Sequence, residues 1–203
     1  MNAAKIRLSP TERELVTDAR FILTKNDILQ KTKELLGQLQ VIYQEHLQQL
    51  QGELPDGINQ TSPKISRGEN YKGLPWLVLD YPRSFSHSNV FAIRTMFWWG
   101  NFFSITLHLS GEHKEWYAKK IIAAYPMLKK NGFSCNAGAE QWEHHFKKEN
   151  YTPLSKMKRK EFERFVLQGT FIKLANKISL KKWDKASAIL YRYFRLLFRM
   201  MLD

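Results

Sequence analysis

LPWLVLDYPRSFSHSNVFAIRTMFWWGNFFSITLHL, residues 74–109, decides the fold class. Residues 74–81 are apolar on both faces, and Pro75 is tolerated there only at a strand start or on a sheet edge. Tyr81-Pro82-Arg83 ends this strand, and residues 84–89 form the next turn. Residues 90–99 and 102–109 are two more strand-like runs, joined by Gly100-Asn101, a favoured two-residue hairpin loop. The stretch therefore predicts a three-stranded antiparallel β-meander. With two loop residues, Trp99 faces Phe102, Trp98 faces Phe103, Thr95 faces Thr106 and Arg94 faces Leu107. An odd number of loop residues would reverse these face assignments, because side chains alternate with a period of two.

Outside the meander the periodicity is helical. Ser9-Pro10-Thr11-Glu12 is a capping box with proline at the first helical position, and opens a helix to about Lys25. Asn26-Asp27 offers a second cap. From Ile28 to Gln51, Ile28, Leu35, Leu36, Leu39, Ile42, Tyr43, Leu47 and Leu50 recur at three- and four-residue spacing, which predicts a long amphipathic helix. Residues 52–73 are rich in Gly, Pro, Asn and Ser and read as a long loop. After Ser110 a helix is broken at Pro126 and stopped by Lys129-Lys130-Asn131-Gly132. A short strand is expected at 133–136, and helices at 140–148, from about 155 to 176, and after Ser179. The expected fold is one α+β domain over 1–203: helical at 9–51, loop at 52–73, β-meander at 74–109 and a helical layer at 110–203.

Composition bounds the function classes. The 203 residues are 43% hydrophobic and 25% charged, as in a globular protein with a core. No run approaches the roughly 18 apolar residues of a membrane span, and MNAAKIRLSP lacks the apolar core of a secretory signal. Cys135 is the single cysteine, which excludes an internal disulfide and a cysteine-type zinc site and fits a reducing compartment. A cytoplasmic protein is expected. None of His46, His87, His108, His113, His144 and His145 forms HxxxH, HExxH or HxH, so no metal site and no cofactor is expected. No GxSxG, Walker A, GxGxxG or CxxC is present, so a non-enzymatic role is favoured.

The net charge is +13, and it is concentrated late in the chain: residues 101–203 hold 20 Lys/Arg against 9 Asp/Glu. Lys181, Lys185, Arg192, Arg195 and Arg199 fall within about a quarter of a helix circumference at about 100° per residue. Lys158, Arg159 and Lys160 form a second cluster at a helix N-terminus, against the macrodipole. Such faces suit nucleic acid or another polyanion, with Tyr191 or Phe198 at the border stacking a base. This is the first functional expectation.

The second is a small-molecule site on the meander. Thr95, Thr106 and His108 are expected on one face. Arg94 stands alone among apolar residues on the other and needs a partner. Asp80 is the natural one; a ligand carboxylate or phosphate held bidentately is the alternative. The third expectation is a homo-oligomer formed through the Gln-rich helix from Ile28 to Gln51.

Overall fold

The computed structural model describes residues 6–50, 61–86 and 88–202. Its centre is a seven-stranded, wholly antiparallel sheet in the order β1-β2-β3-β4-β7-β5-β6. The strands are β1 Lys64–Tyr71, β2 Leu74–Phe85, β3 Val90–Trp98, β4 Phe102–Ser110, β5 Ser134–Asn136, β6 Tyr151–Pro153 and β7 Phe171–Ser179. The helices are α1 Pro10–Thr17, α2 Ala19–Gln49, α3 Gly111–Ala123, α4 Tyr125–Lys130, α5 Arg159–Gln168 and α6 Trp183–Leu202. The α+β class stands, but the three-stranded meander is only the middle of a larger sheet.

Four differences from the sequence reading have local causes. Part of the expected 52–73 loop is strand β1, joined to β2 by a tight turn in which Lys72 and Gly73 both have positive φ. Residues 52–60 lie outside those described. The helix expected to run to 176 ends at Gln168, and 171–179 is strand β7, the neighbour of β4. Residues 140–148 form no helix but an irregular segment. At the N-terminus Asp18, not Asn26-Asp27, breaks the helix: its carboxylate accepts the Arg20 backbone N–H at the start of α2. The Ser9 capping box is present.

The β3–β4 hairpin corrects the register. Trp98 pairs with Phe102 and Arg94 with Thr106, so the loop has three residues, Trp99 to Asn101. Trp99 leaves the β3–β4 ladder: its N–H bonds the Pro75 carbonyl at 2.9 Å, and its carbonyl takes the Asn101 side-chain amide at 2.8 Å. Gly100, with φ +68°, supplies the left-handed step this loop needs.

One face of the sheet is covered by helices. Leu77, Leu79, Phe91, Ile93, Phe97, Phe103, Ile105 and Leu107 meet Leu36, Leu39, Tyr43 and Leu47 of α2, Tyr117 and Ile121 of α3, and Leu190, Phe194 and Leu197 of α6. The apolar stripe of α2 from Leu36 onward is thus spent on its own sheet. Dimerisation through that stripe would require unpacking it.

Candidate functional site

The opposite face of the sheet is chemically different. The observed register sets transverse rows across it: Lys64–Asp80–Arg94–Thr106–Ala175, then Ser66–Val78–Met96, then Gly68–Trp76–Trp98, with His108 beside Lys173 on the other side. Asp80, Thr106, His108 and Lys173 are all buried. This is a dense set of polar groups for one sheet face, and such groups persist inside a protein only when partnered.

Asp80 is Arg94's partner, as the sequence suggests. Arg94 Nε donates to Asp80 Oδ1 at 2.7 Å and Nη2 to Oδ2 at 2.8 Å, a bidentate fork. Nη1 is 2.8 Å from His144 Nε2. Since guanidinium only donates, His144 accepts there and carries its proton on Nδ1. Burial first, then Arg94 and Lys173, hold His144 well below the usual imidazole range, consistent with a neutral acceptor. His144 was expected to point from a helix; it sits instead in the irregular segment 137–150, which lies against this face.

That segment is held by polar ties. The Tyr71 hydroxyl donates to Glu143 Oε2 at 2.8 Å and accepts from the backbone N–H of His144 and His145. The Lys173 ammonium donates to the Glu143 carbonyl and lies 5.1 Å from the Tyr151 ring centroid. Burial lowers Lys173 to about 8, with Glu143 opposing and Arg94 adding to the shift. Phe146 stacks on Tyr151 at 4.6 Å. Next to Lys173, His108 is pushed down to about 3, first by burial and then by the charges of Lys173 and Arg94. Among the described residues its Nε2 has no hydrogen-bond partner, and the Tyr151 hydroxyl is buried beside Thr106.

Over β1, β2 and β3 the segment leaves the sheet open. A cavity of about 590 Å³ lies there. Its floor is Val78 and Met96. Trp76 and Tyr71 stand at one end, Phe85 and Trp142 at the other, and Lys64, Arg83, Asp80, Arg94 and His144 supply the polar groups. Phe85 and Trp142 are 40% and 45% exposed and 6.2 Å apart, so two large aromatics flank the opening. Arg83 reaches the cavity because of a bulge. The β2–β3 register shifts between Asp80 and Arg83, and both residues then face the same side although three positions apart. A Cβ on Gly68 would lie 2.6 Å from the Trp76 indole, so only glycine lets that ring lie flat on β1.

The structure brings Asp80, Arg94, Thr106 and His108 to one face and removes Thr95 from it. Thr95 points to the helices, where its hydroxyl meets that of Tyr43 at 3.2 Å. His113 packs on Phe91 and Trp116 on the helical side and does not converge with His108.

The basic residues are placed as follows. Lys185, Arg192, Arg195 and Arg199 are exposed on α6, and Lys181 is exposed in the short 3-10 turn before it. Two clefts of about 420 and 660 Å³ flank the helix, both lined by Leu196 and Arg199, with no carboxylate among the described residues that line them. Phe198 is fully buried against Phe194 and is unavailable for base stacking; Tyr191 is half-buried beneath Arg195. Lys158, Arg159 and Lys160 are exposed at the start of α5, which packs on α3.

Among the described residues no group of three or more His, Cys, Asp or Glu could hold a metal ion, and no helix is long and apolar enough to cross a membrane. Comparison with known proteins finds no matching family model, no matching curated protein and no matching solved structure. The fold and cavity thus define the class at the level of architecture: an antiparallel sheet with helices on one face and a polar, partly open cavity on the other.

Proposed function

We propose that this chain is a non-enzymatic binding protein for a small organic ligand, seated on the open sheet face over β1–β3. One observation carries this reading: a partly buried Asp80–Arg94–His144 cluster opens onto an aromatic-walled cavity of about 590 Å³. That size is ordinary for a small-molecule pocket, and a mainly apolar lining with a few convergent polar groups is the usual composition. The cluster holds its own shape before any ligand arrives, which lowers the cost of binding.

A screen of small aromatic and aliphatic compounds by ligand-observed NMR tests the reading. Compounds that bind should compete with one another and lose affinity in Ser66→Phe, which fills the cavity from edge strand β1. Binding untouched by Ser66→Phe would refute it.

A second reading rests on α6. Its exposed cations border clefts with no carboxylate among their described lining residues, which favours a polyanion, with phosphate rather than base contacts because Phe198 is buried. Labelled RNA and DNA titrated at low and near-physiological salt should bind with a steep salt dependence. The Lys185→Glu, Arg192→Glu, Arg195→Glu variant should lose that binding while remaining folded. Absence of binding at low salt would refute this reading.

A further inference from the structure

The charges and walls of the sheet cavity narrow the class of ligand. Asp80 is the only carboxylate among the described residues that line the cavity, and both its oxygens face the Arg94 fork. The pair is neutral taken together. His144, accepting from Arg94, adds no charge. Lys64 and Arg83 remain. Lys64 has no ion-pair or hydrogen-bond partner among the described residues, and Arg83 uses only its Nε, donating to the Ser62 carbonyl at 3.0 Å. Among the described residues no carboxylate pairs with either of these two positive charges, both on the β1–β2 side of the Asp80–Arg94 pair. The rest of its lining is mainly apolar, with Val78 and Met96 beneath, Trp76 and Tyr71 at one end and Phe85 and Trp142 at the other; the uncharged Ser66 and Asn70 complete it on the β1 side.

Resting on the small-ligand reading above, we propose that the cavity takes an amphipathic organic anion, an aryl or alkyl carboxylate. Its apolar body lies on Val78 and Met96 between the aromatic ends. Its carboxylate is held by Lys64 and Arg83. The bidentate edge of Arg94 is filled by Asp80, so Arg94 offers the anion only its remaining N–H bonds and its position in the row. Two features of the backbone serve this arrangement. The β2 bulge turns Arg83 to the cavity side, and Gly68 lets Trp76 lie back against β1 and out of the ligand's volume.

The test compares 2-naphthoate with 2-naphthamide, equal in shape and different in charge, by isothermal titration calorimetry at pH 7 and low salt. Wild type should bind the acid at least tenfold tighter than the amide. Lys64→Met with Arg83→Met should remove that preference and leave amide affinity within about twofold. Ser66→Phe should abolish both, as should Gly68→Val, which drives Trp76 into the cavity; thermal melts establish that each variant is folded. Equal affinities for acid and amide, both lost in Ser66→Phe, would overturn the anion and leave the cavity reading standing. An acid preference that survives Lys64→Met with Arg83→Met would overturn the assignment of its carboxylate. Binding that survives Ser66→Phe, or no binding of either compound, would overturn the anion proposal and the cavity reading together.

Discussion

The two faces of this sheet share a backbone and differ in almost everything else. Toward the helices the strands present Leu, Ile and Phe, and Thr95 is a polar exception answered by Tyr43. Away from the helices they present Asp80, Arg94, Thr106, His108 and Lys173 beneath a segment with no regular helix. The first face follows from burial of apolar area, at about 25 cal/mol per Å². The second face holds charges that cost free energy to bury. It is the face on which the proposed ligand site lies.

The contrast is sharpest under acid. His108 is pushed down to about 3, and His144 also lies well below its ordinary value. Below pH 6.5 the unfolded chain takes up protons that the folded chain refuses, so stability falls as pH falls from 6.5 toward 3. His108 alone accounts for up to about 5 kcal/mol of that loss. Urea denaturation across this range should show the fall, and His108→Phe should flatten it. An equally steep curve in the variant would place the acid sensitivity elsewhere.

Asp80→Ala should cost about 3 kcal/mol, the lower end for a buried pair, because it leaves the partly buried Arg94 guanidinium without its carboxylate. A loss below about 1 kcal/mol in chemical denaturation would mean that water or another group already serves Arg94. Lys173 is expected to act at the opposite end of the pH scale. Its value is lowered to about 8 from 10.5, so stability rises with pH between these limits, by about 3 kcal/mol at most. Melting at pH 7.5 and 10 should show this rise in wild type and not in Lys173→Met. The smallest effect belongs to the apolar face. Thr95→Val paired with Tyr43→Phe removes one neutral hydrogen bond and should change stability by about 1 kcal/mol. A larger value would show that this face, too, depends on polar contacts.

The sequence was most informative where one period dominates. The capping box at Ser9, the stripe from Leu36 to Leu47, the Pro126 break and the α6 faces are plain in it. It misled where two periods coexist. In β7, Phe171, Leu174 and Ile178 are spaced three and four apart, as on a helix, while Ile172, Leu174 and Ile178 are spaced by even steps, as on a strand. Gly169-Thr170 just before them marks the break between α5 and β7, the strand that carries Lys173. β1 was missed because a half-exposed edge strand of Lys, Ser, Arg and Glu has the composition of a loop.

The Asp80–Arg94 pair was legible because a lone cation in an apolar strand demands a carboxylate. Thr95 was misplaced for a countable reason: one extra loop residue at Trp99 reverses β4 relative to β3. It brings Thr106 and His108 to Arg94's side and leaves Thr95 with the helices. His144 and Trp142 had no sequence signal, since their segment follows no repeat and is positioned by Tyr71 and Lys173.

Cys135 adds something unrelated to packing. It is the chain's single thiol, wholly buried on β5 between β6 and β7, with its proton held more tightly than usual by burial. An alkylating reagent reaches it only when that margin of the sheet comes away. The rate of its modification is therefore a clock for partial opening beside the segment that walls the cavity, built into the unaltered protein and readable by mass alone. A ligand that stiffens the segment slows the clock, without any label having been introduced.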